Sequence, residues 1–194
     1  MTMVDTEKLT KSVMLGYAVP AALNCGPGGT GCTGKASPRI DAQQALEALL
    51  QEPYFKQRPP KSTGRDLFHL GWLNPFLRAE YAPQDIQATL LKLTVKTIFQ
   101  AIDHYCKGTQ EVFVCGGGAR NGALMNSLRH ACAGNAIPVA LTDALGVPAE
   151  QVEALAFAWL ARQTLRGEAG NLPSVTGARH PCILGAIYPA GRID

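Results

Sequence analysis

The chain has 194 residues, of which 46% are hydrophobic and 17% charged, and it carries a net charge of +3. That length can bury a sizeable core in one large domain or two small ones, and length alone favours one. No apolar run nears the roughly 20 residues of a membrane span, and the basic residues are scattered rather than gathered with aromatics into a nucleic-acid-binding stripe.

The opening, MTMVDTEKLTKSVML, holds two lysines but no continuous apolar core followed by a small-residue cleavage site, so a cytoplasmic protein is expected. Residues 16–37, GYAVPAALNCGPGGTGCTGKAS, contain six glycines, two prolines and no acid, and read as loop. From Asp41 the segment AQQALEALL sets Ala45, Leu46, Leu49 and Leu50 at helical spacing and stops before Pro53. EPYFKQRPPKSTGRDLFHLGWL, punctuated by Pro53, Pro59, Pro60 and Gly64, is expected as an ordered surface loop pinned by Tyr54, Phe55, Phe68 and Trp72. APQDIQATLLKLTVKTIFQAIDHYCKG then predicts a long helix. Its stripe comprises Ile86, Leu90, Leu93, Thr97, Ile98, Ala101 and Tyr105, with Asp85 near the start and Gly108 at the end.

EVFVCGGG reads as a buried strand running into glycine, and ARNGALMNSLRHACAG as a helix. IPVALTD is a second strand, and VPAEQVEALAFAWLARQTLRG a second long helix with Pro148 in its first turn and Gly167 at its end. Strand and helix alternating at short spacing predict an α/β layer. The tail, GNLPSVTGARHPCILGAIYPAGRID, is turn-rich with one short apolar run, ILGAIY. The cysteines at 25, 32, 106, 115, 132 and 182 and the histidines at 69, 104, 130 and 180 match no zinc spacing. Reduced, mostly buried thiols are expected, and no metal site is assigned.

The corner VCGGGARNGALM is the segment richest in chemical options. A strand that ends in Gly116, Gly117 and Gly118 and feeds a helix leaves backbone N–H groups at the positive end of the helix dipole, where phosphate oxygens can bind. The run fits neither GxGxxG nor GxxxxGK[ST], so it is either a plain tight turn or a phosphate cradle. A valine at Gly117 is expected to crowd a phosphate and to meet a positive φ. Asn121 caps the helix or meets a ligand, and Arg120 reaches a phosphate or stays solvated. Asp143 stands at the carboxyl end of the second strand, where α/β sheets bind ligands, and otherwise serves a turn or N-cap. Glu153 shares a stripe with Ala156, Phe157 and Leu160, so it is either paired or faces a cleft. Lys61, Ser62, Thr63 and Arg65 gather donors around Gly64, for an anion or for an ordered turn.

EPYF…PPKSTGRDLFHLGWL, DIQATLLKLT, VCGGGARNGALM, EALAFAWLARQTL and GNLPSVTGA…LGAIYPA, in this order from about Ile40 to about Ala190, resemble the carboxyl-terminal half of anhydro-N-acetylmuramic acid kinases. The resemblance implies the second lobe of an actin, hexokinase and Hsp70-like (ribonuclease H-like) fold, present as a fragment. Members of that family clasp ATP and Mg²⁺ between two lobes, open the 1,6-anhydro bond with water and phosphorylate O6, giving N-acetylmuramic acid 6-phosphate in cell-wall recycling. On this basis Gly116, Gly117, Gly118 and Asn121 become nucleotide contacts. Glu153, Asp143, Lys61 and Arg65 remain cleft candidates. ATP, the anhydro-sugar, the amino-terminal lobe and a homo-oligomeric contact are the implied partners.

The departures are specific. The family's MSGTSxDG phosphate loop is missing, as is the DTGPGN motif whose aspartate activates water, so no catalytic residue is recognisable. General-base assistance of roughly 10²–10⁴-fold goes with that carboxylate, and the chain alone is expected to be inactive. The alternative function is a non-catalytic nucleotide-binding or assembly module left over from such a kinase. The expected division is residues 1–38, unmatched, loop-like and derived from a shifted reading frame, followed by the lobe over 39–194.

Overall fold

The structure is a computed structural model that describes residues 12–16, 39–64, 66–78, 81–189 and 191. The loop expected at 16–37 lies outside the described residues except for Gly16, which ends a strand. The chain divides into two units. Among the described residues the first holds 12–16, 39–56 and 63–150, and the second 57–62 and 151–191.

The first unit is an α/β layer. Strands β1 (Ser12–Gly16), β2 (Glu111–Cys115) and β3 (Val139–Leu141) form a parallel sheet in the order β1-β2-β3, with Gly16 opposite Cys115 and Val114 opposite Leu141. A central parallel strand is covered on both faces. Accordingly Val112, Phe113, Val114 and Cys115 are all buried rather than alternating.

Helix α1 (Arg39–Leu49) is followed by two one-turn helices, α2 (Pro53–Lys56) and α3 (Leu70–Leu73). They interrupt the expected surface loop, which the predicted aromatics do pin. Phe55 stacks on Phe68 at 5.5 Å, Phe68 meets Trp72 edge-on at 4.9 Å, and the Trp72 indole N–H donates to Glu52 Oε2 at 2.8 Å. Helix α4 (Pro83–Tyr105) begins with proline at N1, a position whose missing N–H costs no intrahelical bond, and has Asp85 in its first turn.

The single stripe expected on α4 needs correction. Leu93 and Ile98 are buried as expected, but Ala101 and Tyr105 are exposed, while Val95 and Ile102 are buried instead. The helix serves two clusters. Leu93 packs with Leu46 and Leu49 of α1 and Leu73 of α3. Val95, Ile98 and Ile102 pack with β2, Val139 of β3, and Leu124, Met125, Leu128 and Cys132 of α5 (Gly122–Ala133). Two partners on different sides widen the buried arc beyond one stripe.

In the second unit α6 (Val152–Arg166) ends at Gly167, whose φ of 67° is the left-handed C-cap conformation. It starts four residues later than Pro148 suggested. The carbonyl of Ala149 accepts a hydrogen bond from Gly116 N at 2.8 Å instead of opening a helical ladder. Much of its apolar content faces solvent: Leu155 is 57% exposed, Phe157 64%, Trp159 47% and Leu165 75%. The stripe drawn through Glu153, Ala156 and Phe157 is therefore not a buried face, and Glu153 itself is exposed. The unit is held by polar ties. Gln163 Nε2 donates to Ala169 O at 3.1 Å, Thr164 Oγ1 contacts Leu160 O and Leu184 O, and Gly170 N donates to Cys182 O. Short helix α7 (Pro173–Thr176) is the tail's one helical turn among the described residues, and ILGAIY forms no strand. No described helix is long and apolar enough to cross a membrane.

Candidate functional site

The loops after β2 and β3 meet at the carboxyl edge of the sheet. Gly116, immediately after β2, has φ 78° and ψ −171°. Only glycine adopts that region without substantial strain. The positive φ expected at Gly117 therefore belongs to its neighbour, and a Cβ at Gly117 would meet nothing within 4 Å. Residues Gly117–Arg120 form a 3₁₀ turn closed by Ala119 N donating to Gly116 O at 3.0 Å and Asn121 N to Gly118 O at 3.1 Å.

Asn121 then caps α5, its Oδ1 accepting from Leu124 N at 3.1 Å. That satisfies one orphan donor of the helix and fixes its direction. Among the described residues the Gly117 and Gly118 amides donate to no partner. Two unspent N–H groups, the positive end of a three-turn helix and open space before Gly117 together fit a phosphate group.

The β3 side borders the corner and is hydrogen-bonded to it. Thr142 opens a 3₁₀ turn (Thr142–Leu145) and is 1% exposed, its hydroxyl without a partner among the described residues. Asp143 is exposed, and its Oδ2 accepts from Ala149 N at 3.1 Å, a turn-stabilising contact. Ala149 is thus bonded on both sides, to Asp143 through its N–H and to Gly116 through its carbonyl. One residue further on, Glu150 forms an ion pair with Arg120.

Gly116, Gly117, Gly118, Asn121 and Asp143 thus come together in the first unit. Lys61 and Glu153 belong to the second, and Arg65 lies outside the described residues. Partial burial holds the Lys61 ammonium below the usual lysine range by desolvation. Burial likewise pushes up the thiols of Cys115, beneath the corner, and Cys132 in the core, which makes them poor nucleophiles. Cys106 and Cys182 are free thiols of intermediate burial, and Cys25 and Cys32 lie outside the described residues.

Sequence reasoning missed Glu150 and Ala149. Glu150 is separated from Arg120 by thirty positions, and no local period links them. Ala149 acts through its backbone, which a side-chain reading cannot see.

The family profile of anhydro-N-acetylmuramic acid kinase matches residues 34–190. Similar proteins carrying that name include one from Nitrosomonas europaea, 54% identical over 145 residues, covering 75% of this chain and 39% of the relative. One from Burkholderia orbicola is 51% identical over 161 residues, covering 80% and 42%. One from Chromobacterium violaceum is 54% identical over 147 residues, covering 74% and 40%. The chain spans about two fifths of the length of these relatives. The family profile nonetheless takes in well over half of the chain's own residues, and the chain belongs to the anhydro-N-acetylmuramic acid kinase family.

Proposed function

We propose that residues 39–194 are the carboxyl-terminal, nucleotide-binding lobe of an ATP-dependent anhydro-N-acetylmuramic acid kinase. The observation that carries this reading is the pair of amides at Gly117 and Gly118, which donate to no partner among the described residues, with open space where a Gly117 side chain would stand, just before α5. ATP supplies the phosphoryl group, and Mg²⁺ arrives as its counter-ion, held mainly by phosphate oxygens. The chain's own contribution is positional. Gly116 turns the backbone, Gly117 and Gly118 donate to phosphate oxygens, and Asn121 fixes the helix whose dipole faces them. Asp143 steadies the neighbouring loop. Lys61, Arg65 and Glu153 are kept as candidate cleft residues.

The sequence contains no DTGPGN, so the reading places the water-activating carboxylate in the amino-terminal lobe. Phosphoryl transfer depends on positioning and charge stabilisation from both lobes. The chain by itself then binds nucleotide without turning over the anhydro-sugar, and joining it to a family amino-terminal lobe yields N-acetylmuramic acid 6-phosphate.

Gly117→Val tests the cradle. Among the described residues the new side chain meets no atom within 4 Å of its Cβ and no left-handed φ, so the fold should be retained while the approach of a phosphate is blocked. Titration calorimetry with ATP and Mg²⁺ is expected to show an affinity loss of about tenfold or more, near 1.4 kcal/mol. Equal affinities in two folded proteins return the corner to a plain turn. A coupled ADP-release assay with the anhydro-sugar should detect no turnover by the chain alone.

A further inference from the structure

The Arg120–Glu150 pair joins the two loops that frame the glycine corner. Arg120 closes the 3₁₀ turn that carries the Gly117 and Gly118 amides, which donate to no partner among the described residues, and Glu150 follows the residue whose carbonyl holds Gly116. Both side chains are largely solvent-exposed, 75% for Arg120 and 60% for Glu150. Arg120 is the one basic side chain of that turn. A guanidinium forks equally well onto a carboxylate or a phosphate.

We infer that Arg120 is a phosphate-positioning residue which Glu150 holds aside, and that nucleotide binding exchanges the carboxylate for phosphate oxygens. This rests on the nucleotide reading of the glycine corner. The exchange is favoured by the energies of the two states. An exposed carboxylate pair corresponds to a factor of only about two to five in an equilibrium, because water screens it. A charge-assisted bond to a multiply charged phosphate corresponds to roughly tenfold or more. Glu150 thus sets a modest threshold and keeps the guanidinium close to where it is used.

The test is titration of the full chain with ATP and Mg²⁺ at fixed pH and ionic strength, using wild type, Glu150→Gln, Arg120→Ala, Arg120→Lys and the double variant Arg120→Ala/Glu150→Gln. Circular dichroism checks that each is folded. Glu150→Gln is expected to tighten binding two- to fivefold, Arg120→Ala to weaken it about tenfold or more, and Arg120→Lys to fall between. The double variant should match Arg120→Ala, because Glu150 acts through the arginine. If Glu150→Gln leaves affinity unchanged or lowers it, the exchange is refuted. If it tightens binding equally without Arg120, Glu150 merely repels the nucleotide, and the exchange is again refuted. In both cases wild-type binding survives and the nucleotide reading stands. No binding of ATP by folded wild type removes that reading and the exchange together.

Discussion

The first unit contains every buried hydrophobic side chain among the described residues, whereas Gln163 is the one described residue of the second unit that counts as buried. The contrast is not one of local sequence quality. Helices α4 and α6 are both long, both carry apolar residues at helical spacing, and both are followed by a glycine with positive φ. What differs is the company each keeps within its own unit. Helix α4 has β2, α5 and α1 to pack on, while the ties of α6 that reach the tail are side-chain and main-chain hydrogen bonds. An amphipathic pattern makes a helix, but only a complementary partner turns that pattern into a core.

Deleting core volume should separate the two units most sharply. Leu128→Ala, at a position 1% exposed, should cost about 2–5 kcal/mol, whereas Phe157→Ala, 64% exposed, should change stability by about 0.5 kcal/mol or less. Urea unfolding followed by circular dichroism measures both. Comparable losses would mean that Phe157 is covered in solution and would break the comparison.

A smaller contrast comes from two glycines with positive φ. Gly116 lies at ψ −171°, whereas Gly167 lies at ψ 25°, in the left-handed region that asparagine tolerates. Gly116→Asn should therefore cost about 1–3 kcal/mol. Gly167→Asn should stay within about 0.5 kcal/mol, as surface changes usually do. Equal effects in the same urea assay would place the strain elsewhere.

The mildest expected effect concerns association. Exposed Leu155, Phe157, Trp159 and Leu165 of α6 should bind a hydrophobic dye and promote self-association. The double substitution Phe157→Ser/Leu165→Ser should lower dye fluorescence and the apparent mass in sedimentation. A wild-type chain that is monodisperse and dye-negative would show that this face is covered.

The layer was legible because its signals are local. EVFVC is centred on a β-branched and aromatic run, VFV, and Asn121 precedes an apolar period, so strand and capped helix follow from neighbours in sequence. The two-sided burial of α4 was not legible, because one helix alone cannot reveal how many elements surround it. At the corner the three glycines and Asn121 were readable, but the division of labour among the glycines was not. Gly116 takes the unusual dihedral, and its N–H is bonded to Ala149, thirty-three positions later. Long-range backbone bonds leave no trace in residue type. The same blindness hid Glu150 and placed the start of α6 four residues too early.

The tryptophans fall one to each unit, and their settings differ. Trp72 lies against Phe68 and Phe76 with its indole N–H on Glu52, while Trp159 stands 47% exposed on α6. The chain has only these two. The protein consequently carries a native optical label in each half: a shorter-wavelength emitter that reddens when the aromatic cluster opens, and a longer-wavelength one that quenchers reach in the folded state. With Trp72→Phe and Trp159→Phe in turn, each half can be watched by its own colour as temperature or nucleotide concentration is varied.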